Sequence, residues 1–259
     1  MVRGIESLGA SIGWGTVVGA SLLAGALAAA ALRLPPRLAA ALTAFGGGVL
    51  LAAVALELVP EADAEAGLAL TAGGLMAGTL LYVGADSWIN RRQAMADMRR
   101  AGHAAAAGSS MEMPAHSAEA ARGESIAIGL FVDGVPESLA LGLTIAEGEV
   151  GVALLAGIVV GNVVESYGAA QPIIAGGHTR RFAIGLLGTI GVALALATVV
   201  GGTLLADASP ELVGTAQAIA AGAVLAVVSI AVIPHAFKEV SSLVAAVTVA
   251  GFIAGYLLS

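Results

Sequence analysis

Four carboxylic acids stand deep inside stretches of this sequence that are otherwise apolar: Glu57, Asp133, Glu137 and Glu165. Asp133 and Glu137 are four residues apart, so on a helix they stack on one face. Pro136 between them removes a backbone hydrogen bond and frees carbonyl oxygen in the preceding turn. Asn162 and Glu165, three apart, share a face of the following stretch. Two adjacent helices presenting such groups at one depth make an oxygen-rich site of the kind that suits hard or borderline divalent cations. The competing reading is that the acids are protonated and hydrogen-bonded across helices as packing devices. Glu57, three residues before Pro60, reads either as an entrance ligand for the same ion or as a carboxylate reaching interfacial water.

An ionised carboxylate at the centre of a membrane helix costs about 2.5–3.5 kcal/mol on insertion scales. No Lys or Arg falls inside any apolar stretch to pair with these four. Protons, metal cations or water in a cavity remain as the means of neutralising them. The absence of intramembrane basic residues also argues against an anionic organic substrate.

The elements that position these residues follow from composition. Of 259 residues 58% are hydrophobic and 11% charged, against about 25% charged in soluble domains, which excludes a water-soluble globule. Apolar runs of about 17–25 residues cross a hydrocarbon layer of about 30 Å. Eight such spans are predicted, at 8–32, 38–60, 67–90, 123–146, 150–174, 181–206, 211–236 and 239–258. The fold class is therefore an all-α integral membrane protein, a single eight-helix transmembrane domain. A transmembrane barrel would need alternating polarity, which is absent. With 36 glycines and only 4% aromatics, the helices are expected to approach closely, and their small-residue faces permit a homodimer. Cysteine is absent, which removes thiolate ligands and disulfides. The first apolar stretch is too long, and its leader too weakly basic, for a cleavable signal peptide. Glycine groups such as Gly46–Gly48 lie in mid-span and read as packing contacts rather than a phosphate loop, and no nucleic-acid partner is expected.

Ten of the eleven basic residues fall between alternate spans: Arg33 and Arg37, Arg91 to Arg122, Arg180 and Arg181, and Lys238. By the positive-inside rule that side is cytoplasmic, which puts both termini outside with the acidic loops that hold Glu61, Asp63 and Glu65, Glu147 and Glu149, and Asp207 and Glu211. The segment 91–122 reads as a mobile cytoplasmic linker, and His103, His116, Met111, Glu112 and Met113 within it make at best a weak metal-capture tract. Asp86, His178 and His235 read as interfacial, and Gln171 as lining an inner pathway.

Sliding the chain against itself by 174 positions aligns Gly48 with Gly222, Val54 with Val228 and Pro60 with Pro234. An offset of 177 matches Gly74 and Gly78 with Gly251 and Gly255. Spans 1–3 and 6–8 are thus expected to be inverted repeats flanking spans 4 and 5, a transporter signature.

The stretch Ala44-Phe45-Gly46-Gly47-Gly48-Val49-Leu50-Leu51-Ala52 running to Leu58-Val59-Pro60-Glu61-Ala62, with Val135-Pro136-Glu137 in span 4, resembles the ZIP (Zrt/Irt-like) family of divalent metal transporters, over nearly the whole chain. The resemblance implies a three-two-three arrangement of spans and a binuclear centre between spans 4 and 5. It also implies inward transport of zinc, iron, manganese or similar ions across the cell membrane, with no enzymatic activity and the metal as substrate rather than cofactor. The span 4 motif of that family, His-Asn-x-Pro-Glu-Gly, stands here as Asp133-Gly134-Val135-Pro136-Glu137-Ser138. The span 5 motif stands as Gly161-Asn162-Val163-Val164-Glu165-Ser166, without its His and Pro. A His common in span 2 is Glu57, and an acid usual near the end of span 7 is Ala231. Glu137 and Glu165 carry over unchanged as ligands, and Asp133 and Asn162 occupy ligand positions with altered chemistry. Loss of imidazole shifts preference from zinc toward harder ions. The rival reading is a non-transporting relative that holds an ion or proton structurally, or a scaffold partner of a transporter.

Overall fold

The computed structural model describes the backbone of residues 2–106, 115–148, 150–204 and 208–259, with side chains over the same ranges except at 2–6, 36, 89–90, 92–106, 115–126 and 133. The described residues are almost wholly helical, without strands. The helices are α1 (Val2–Ala31), α2 (Pro36–Ala53), α3 (Val59–Ala66), α4 (Leu68–Ala106), α5 (Ala115–Glu147), α6 (Val152–Ala175), α7 (Arg180–Leu204), α8 (Pro210–Val227), α9 (Ile233–Val240) and α10 (Leu243–Leu258). Seven continuous segments are long and apolar enough to cross a membrane, while α10, at 16 residues, is shorter. Leu80, Leu81, Val192 and Leu196 are exposed on outward faces, as suits helices solvated by lipid rather than water. The chain is a multi-pass helical membrane protein.

Helix breaks follow local chemistry. Leu34 precedes Pro35, which is extended at φ −58°, ψ 136° and so separates α1 from α2. Gly67, at φ 78° and ψ 161°, takes a positive-φ extended conformation open to glycine because it has no Cβ, and so ends α3.

Pro60 was expected to close the second span; instead the chain stays helical to Ala66. A π-turn, Val54–Leu58, joins α2 to α3, and the Val59 N–H donates to the Val54 carbonyl five residues back. Widening the turn by one residue relieves the clash of the proline ring with the preceding carbonyls. A second π-turn, Val228–Val232, joins α8 to α9 ahead of Pro234 in the same way, with Ile233 donating to Val228. The two segments share one construction: 210 − 36, 228 − 54 and 233 − 59 all equal 174.

Helix α2 packs on α10 and α4 on α8, through glycines at van der Waals distance from the partner backbone. A methyl added at Gly48 would collide with the Thr248 carbonyl, and one at Gly222 with that of Leu75. Gly78 lies in the same way against the Ile219 carbonyl, and Gly251 against that of Phe45. Since 219 − 45 is 174 and 251 − 78 is 173, the structure pairs Gly78, not Gly74, with Gly251. The offset of 177 is a slip of one helical turn, easily made where Gly and Ala recur at helical spacing.

Helices α5 and α6 form the centre, α5 against α7 and α8, α6 against α1 and α2, and each against the other. The segment expected as a linker, 91–122, is helical where described, because α4 runs on to Ala106 and α5 begins at Ala115. Residues 107–114, with Met111, Glu112 and Met113, lie outside the described residues, as do the side chains of His103 and His116.

Candidate metal centre

Helical register assigns the faces of the central pair. On α5, Gly134 and Gly142 lie against Leu194 and Thr198 of α7. The face of Val135, Leu139 and Leu143 lines a cavity of about 640 Å³ shared with Tyr82 of α4 and Ala220 of α8. Glu137 lies on the remaining face, two turns before Thr144, whose hydroxyl accepts a hydrogen bond from the Gly151 N–H at the head of α6 (3.3 Å). On α6, Gly157 and Gly161 meet Leu50 and Gly46 of α2, while Ser166 donates to the Leu22 carbonyl of α1 (2.6 Å). Ile158, Asn162 and Glu165 fall on the face between these two contacts.

Depth can be counted from the 147–152 connection. Glu137 is ten residues before Glu147 and Asn162 ten after Val152, so each lies about 15 Å from that end at 1.5 Å per residue, near the middle of a hydrocarbon layer of about 30 Å. Glu137 is 6% exposed and Asn162 2%, and the Asn162 Nδ2 has no hydrogen-bond partner. A buried N–H group without an acceptor is uncommon. Glu165 is half-buried one turn deeper. Asp133 lies outside the described side chains. Among the described residues no three His, Asp or Glu side chains converge as a metal set.

Glu57 stands elsewhere. Its carboxylate is turned to the backbone N–H groups of Ala153 and Leu154 in the first turn of α6, where unpaired N–H groups and the helix dipole favour negative charge. Leu154 precedes Asn162 by eight residues, so Glu57 is about 12 Å nearer the acidic end than the Glu137–Asn162 level. Glu57→Gln is expected to lower stability by about 1 kcal/mol, read by thermal unfolding in detergent. Unchanged stability with lost cation uptake would instead make Glu57 an entrance ligand.

Gln171, expected along an inner pathway, ties α6 to α1: its Nε2 donates to the carbonyls of Ala29 (2.8 Å) and Leu32 (3.2 Å), which the end of α1 leaves unpaired. His178 stacks on Phe182, with ring centroids 4.4 Å apart.

At the acidic end stands a group that the spacing of charges does not reveal. Gln217, 0% exposed, donates from Nε2 to Glu61 Oε2 (3.0 Å) and Glu147 Oε2 (2.7 Å). It is a lone amide in an Ala/Gly-rich helix, and its only signal in the sequence is a polar residue among apolar ones.

No family model matches the chain, and no curated protein matches it.

Proposed function

We propose that this protein is a ZIP-like transporter that carries a divalent cation across the cell membrane into the cytoplasm, with Asp133, Glu137, Asn162 and Glu165 as the ligand positions. The observation that carries the reading is a buried carboxylate, Glu137 of α5, at about the same depth as a buried carboxamide, Asn162 of α6. No basic residue in the apolar spans offers charge compensation. Carboxylate and carboxamide oxygens favour manganese and similar hard or borderline ions over zinc.

The proposal counts α10 as an eighth span and reads α1–α4 and α7–α10 as inverted repeats around α5 and α6. The matched α2–α3 and α8–α9 segments and their matched glycine approaches support it. Arg33, Arg37, Arg180, Arg181 and Lys238 lie at one end and Glu61, Glu65, Glu147 and Glu211 at the other. That polarity supports a cytoplasmic basic end with both termini outside. Alternate access then comes from motion of the repeats against the central pair.

The test is metal uptake into liposomes holding the purified protein, run across Zn, Mn, Fe, Co, Cd and Mg at fixed membrane potential. Saturable uptake is expected for at least one of them. It should slow on acidification, since carboxylate ligands must lose their protons to bind. Uptake no faster than in protein-free liposomes for every ion overturns the proposal.

A further inference from the structure

We propose that the cleft between α4 and α7 is a lipid site, in which one acyl chain of a membrane phospholipid lies along α5. Helix α4 packs on α8 and α7 on α5, while α5 and α8 pack on each other. These contacts leave α5 and α8 as the floor of a cleft whose walls are α4 and α7. The cavity in it, of about 640 Å³, rests on Val135, Leu139 and Leu143 of α5 and on Ala216, Ala220 and Ala223 of α8. The α8 side of that floor offers only methyl groups at these positions, too short to fill the space between the walls.

Polarity, opening and shape together say what occupies it. Among the described residues that line the cavity, only Tyr82 brings a polar side-chain atom, and Tyr82 is 4% exposed. Buried water typically makes about three hydrogen bonds to polar groups, which this lining does not supply. An empty space of the same size deprives its walls of the dispersion contacts that a filled one gives. Hydrocarbon satisfies both conditions. The mouth is turned to hydrocarbon as well: Leu81 on the α4 wall is 66% exposed and Leu204 on the α7 wall 75%, and both lie in membrane-spanning segments.

The length of the cleft selects an acyl chain. Phe131 and Leu143 of α5 both line it, and twelve residues of helix rise about 18 Å, in the direction that crosses the membrane. The chains of one leaflet fill half of a hydrocarbon layer of about 30 Å, or about 15 Å. Leu143 stands four residues before the end of α5 at Glu147, so the cleft begins about 6 Å below the acidic end. A phospholipid of that leaflet can therefore keep its headgroup at the interface while one chain descends beside Leu143, Leu139 and Val135. A lodged chain stands between α5 and α4, which the proposed transport cycle moves against one another. That consequence rests on the transport reading; the site does not.

The test needs no metal, so its outcome and that of the uptake experiment are distinguishable. The full-length protein is reconstituted in phosphatidylcholine liposomes, extracted in detergent and washed, and the lipid that remains is counted by native mass spectrometry. One phospholipid per chain is expected to survive the wash. Ala220→Phe, which puts a ring into the cleft, should retain at most one tenth as much and unfold in lipid-free detergent at the parent's temperature or above. Val192→Phe, at an outward position 61% exposed, should retain as much as the parent. Should Ala220→Phe not fold, Ala216→Leu replaces it, with the same expected loss. A phosphatidylcholine with a photoreactive group in mid-chain should label Val135 or Leu139 in the parent and neither in the Ala220 variant. Absence of retained phospholipid in the parent overturns the proposal, as does equal retention in Ala220→Phe or labelling confined to outward positions such as Val192. A parent that is dimeric without lipid, and monomeric after Ala220→Phe, also overturns it, because a second copy then fills the cleft.

Discussion

Glu137→Gln protein is expected to reconstitute as a folded bundle and to move divalent cations at no more than about one hundredth of the parent rate. Loss of a partner outside the ligand shell already costs 10–100-fold in metal affinity or activity, so loss of a carboxylate ligand should cost at least the upper figure. The substitution keeps shape and hydrogen-bonding capacity and removes only the charge. Glu137 is 6% exposed in the middle of α5, and a charge at that depth without its cation is destabilising. Unfolding in chelator should therefore occur at the same temperature as in the parent or higher, whereas manganese should stabilise the parent far more than the variant. A protonated structural acid predicts another pair of results: no change of flux, and no difference in stabilisation by metal. The two measurements together, uptake in liposomes and unfolding with and without metal, separate a ligand from a packing device.

Much of this arrangement is legible in the sequence, for identifiable reasons. The spans are readable because lipid demands apolar length, and the expected limits of α6 and α7 lie within two residues of those found. The common depth of Glu137 and Asn162 follows from counting outward from the short connection between α5 and α6, which sequence supplies as readily as structure. Pro60 misleads, because a proline ordinarily ends a helix and only the π-turn at Val54–Leu58 carries this one through. Gln217 is invisible for a different reason: its partner Glu61 is 156 residues away, and a neutral amide gives no charge pattern to follow. Glu57 is half visible. Its acidity and its proximity to a proline are plain, but its neighbour is the first turn of α6, which only the packing of α2 on α6 brings within reach.

The close helix pairs make the second large prediction, and it is one of sign. At Gly222 an added methyl would run into the Leu75 backbone, and at Gly48 into that of Thr248 with the Phe252 nitrogen only 2.8 Å away. Backbone atoms of a packed helix cannot swing aside as a side chain can, so Gly222→Ala and Gly48→Ala must push whole helices apart. Overpacking of that kind costs about 1–3 kcal/mol, and larger side chains there should prevent folding. Gly73 and Gly185 have nothing within 4 Å of an added methyl. Alanine at either gains helix propensity, up to about 1 kcal/mol, without a clash. Thermal unfolding of the four single variants in one detergent should therefore divide them, with 48 and 222 destabilised by similar amounts and 73 and 185 neutral or stabilised. Similar losses at 48 and 222 follow from their matched surroundings, which is the physical content of a repeated unit. If Gly222→Ala proved harmless while Gly48→Ala did not, α4 would not approach α8 as α10 approaches α2, and the symmetry on which alternating access depends would be lost.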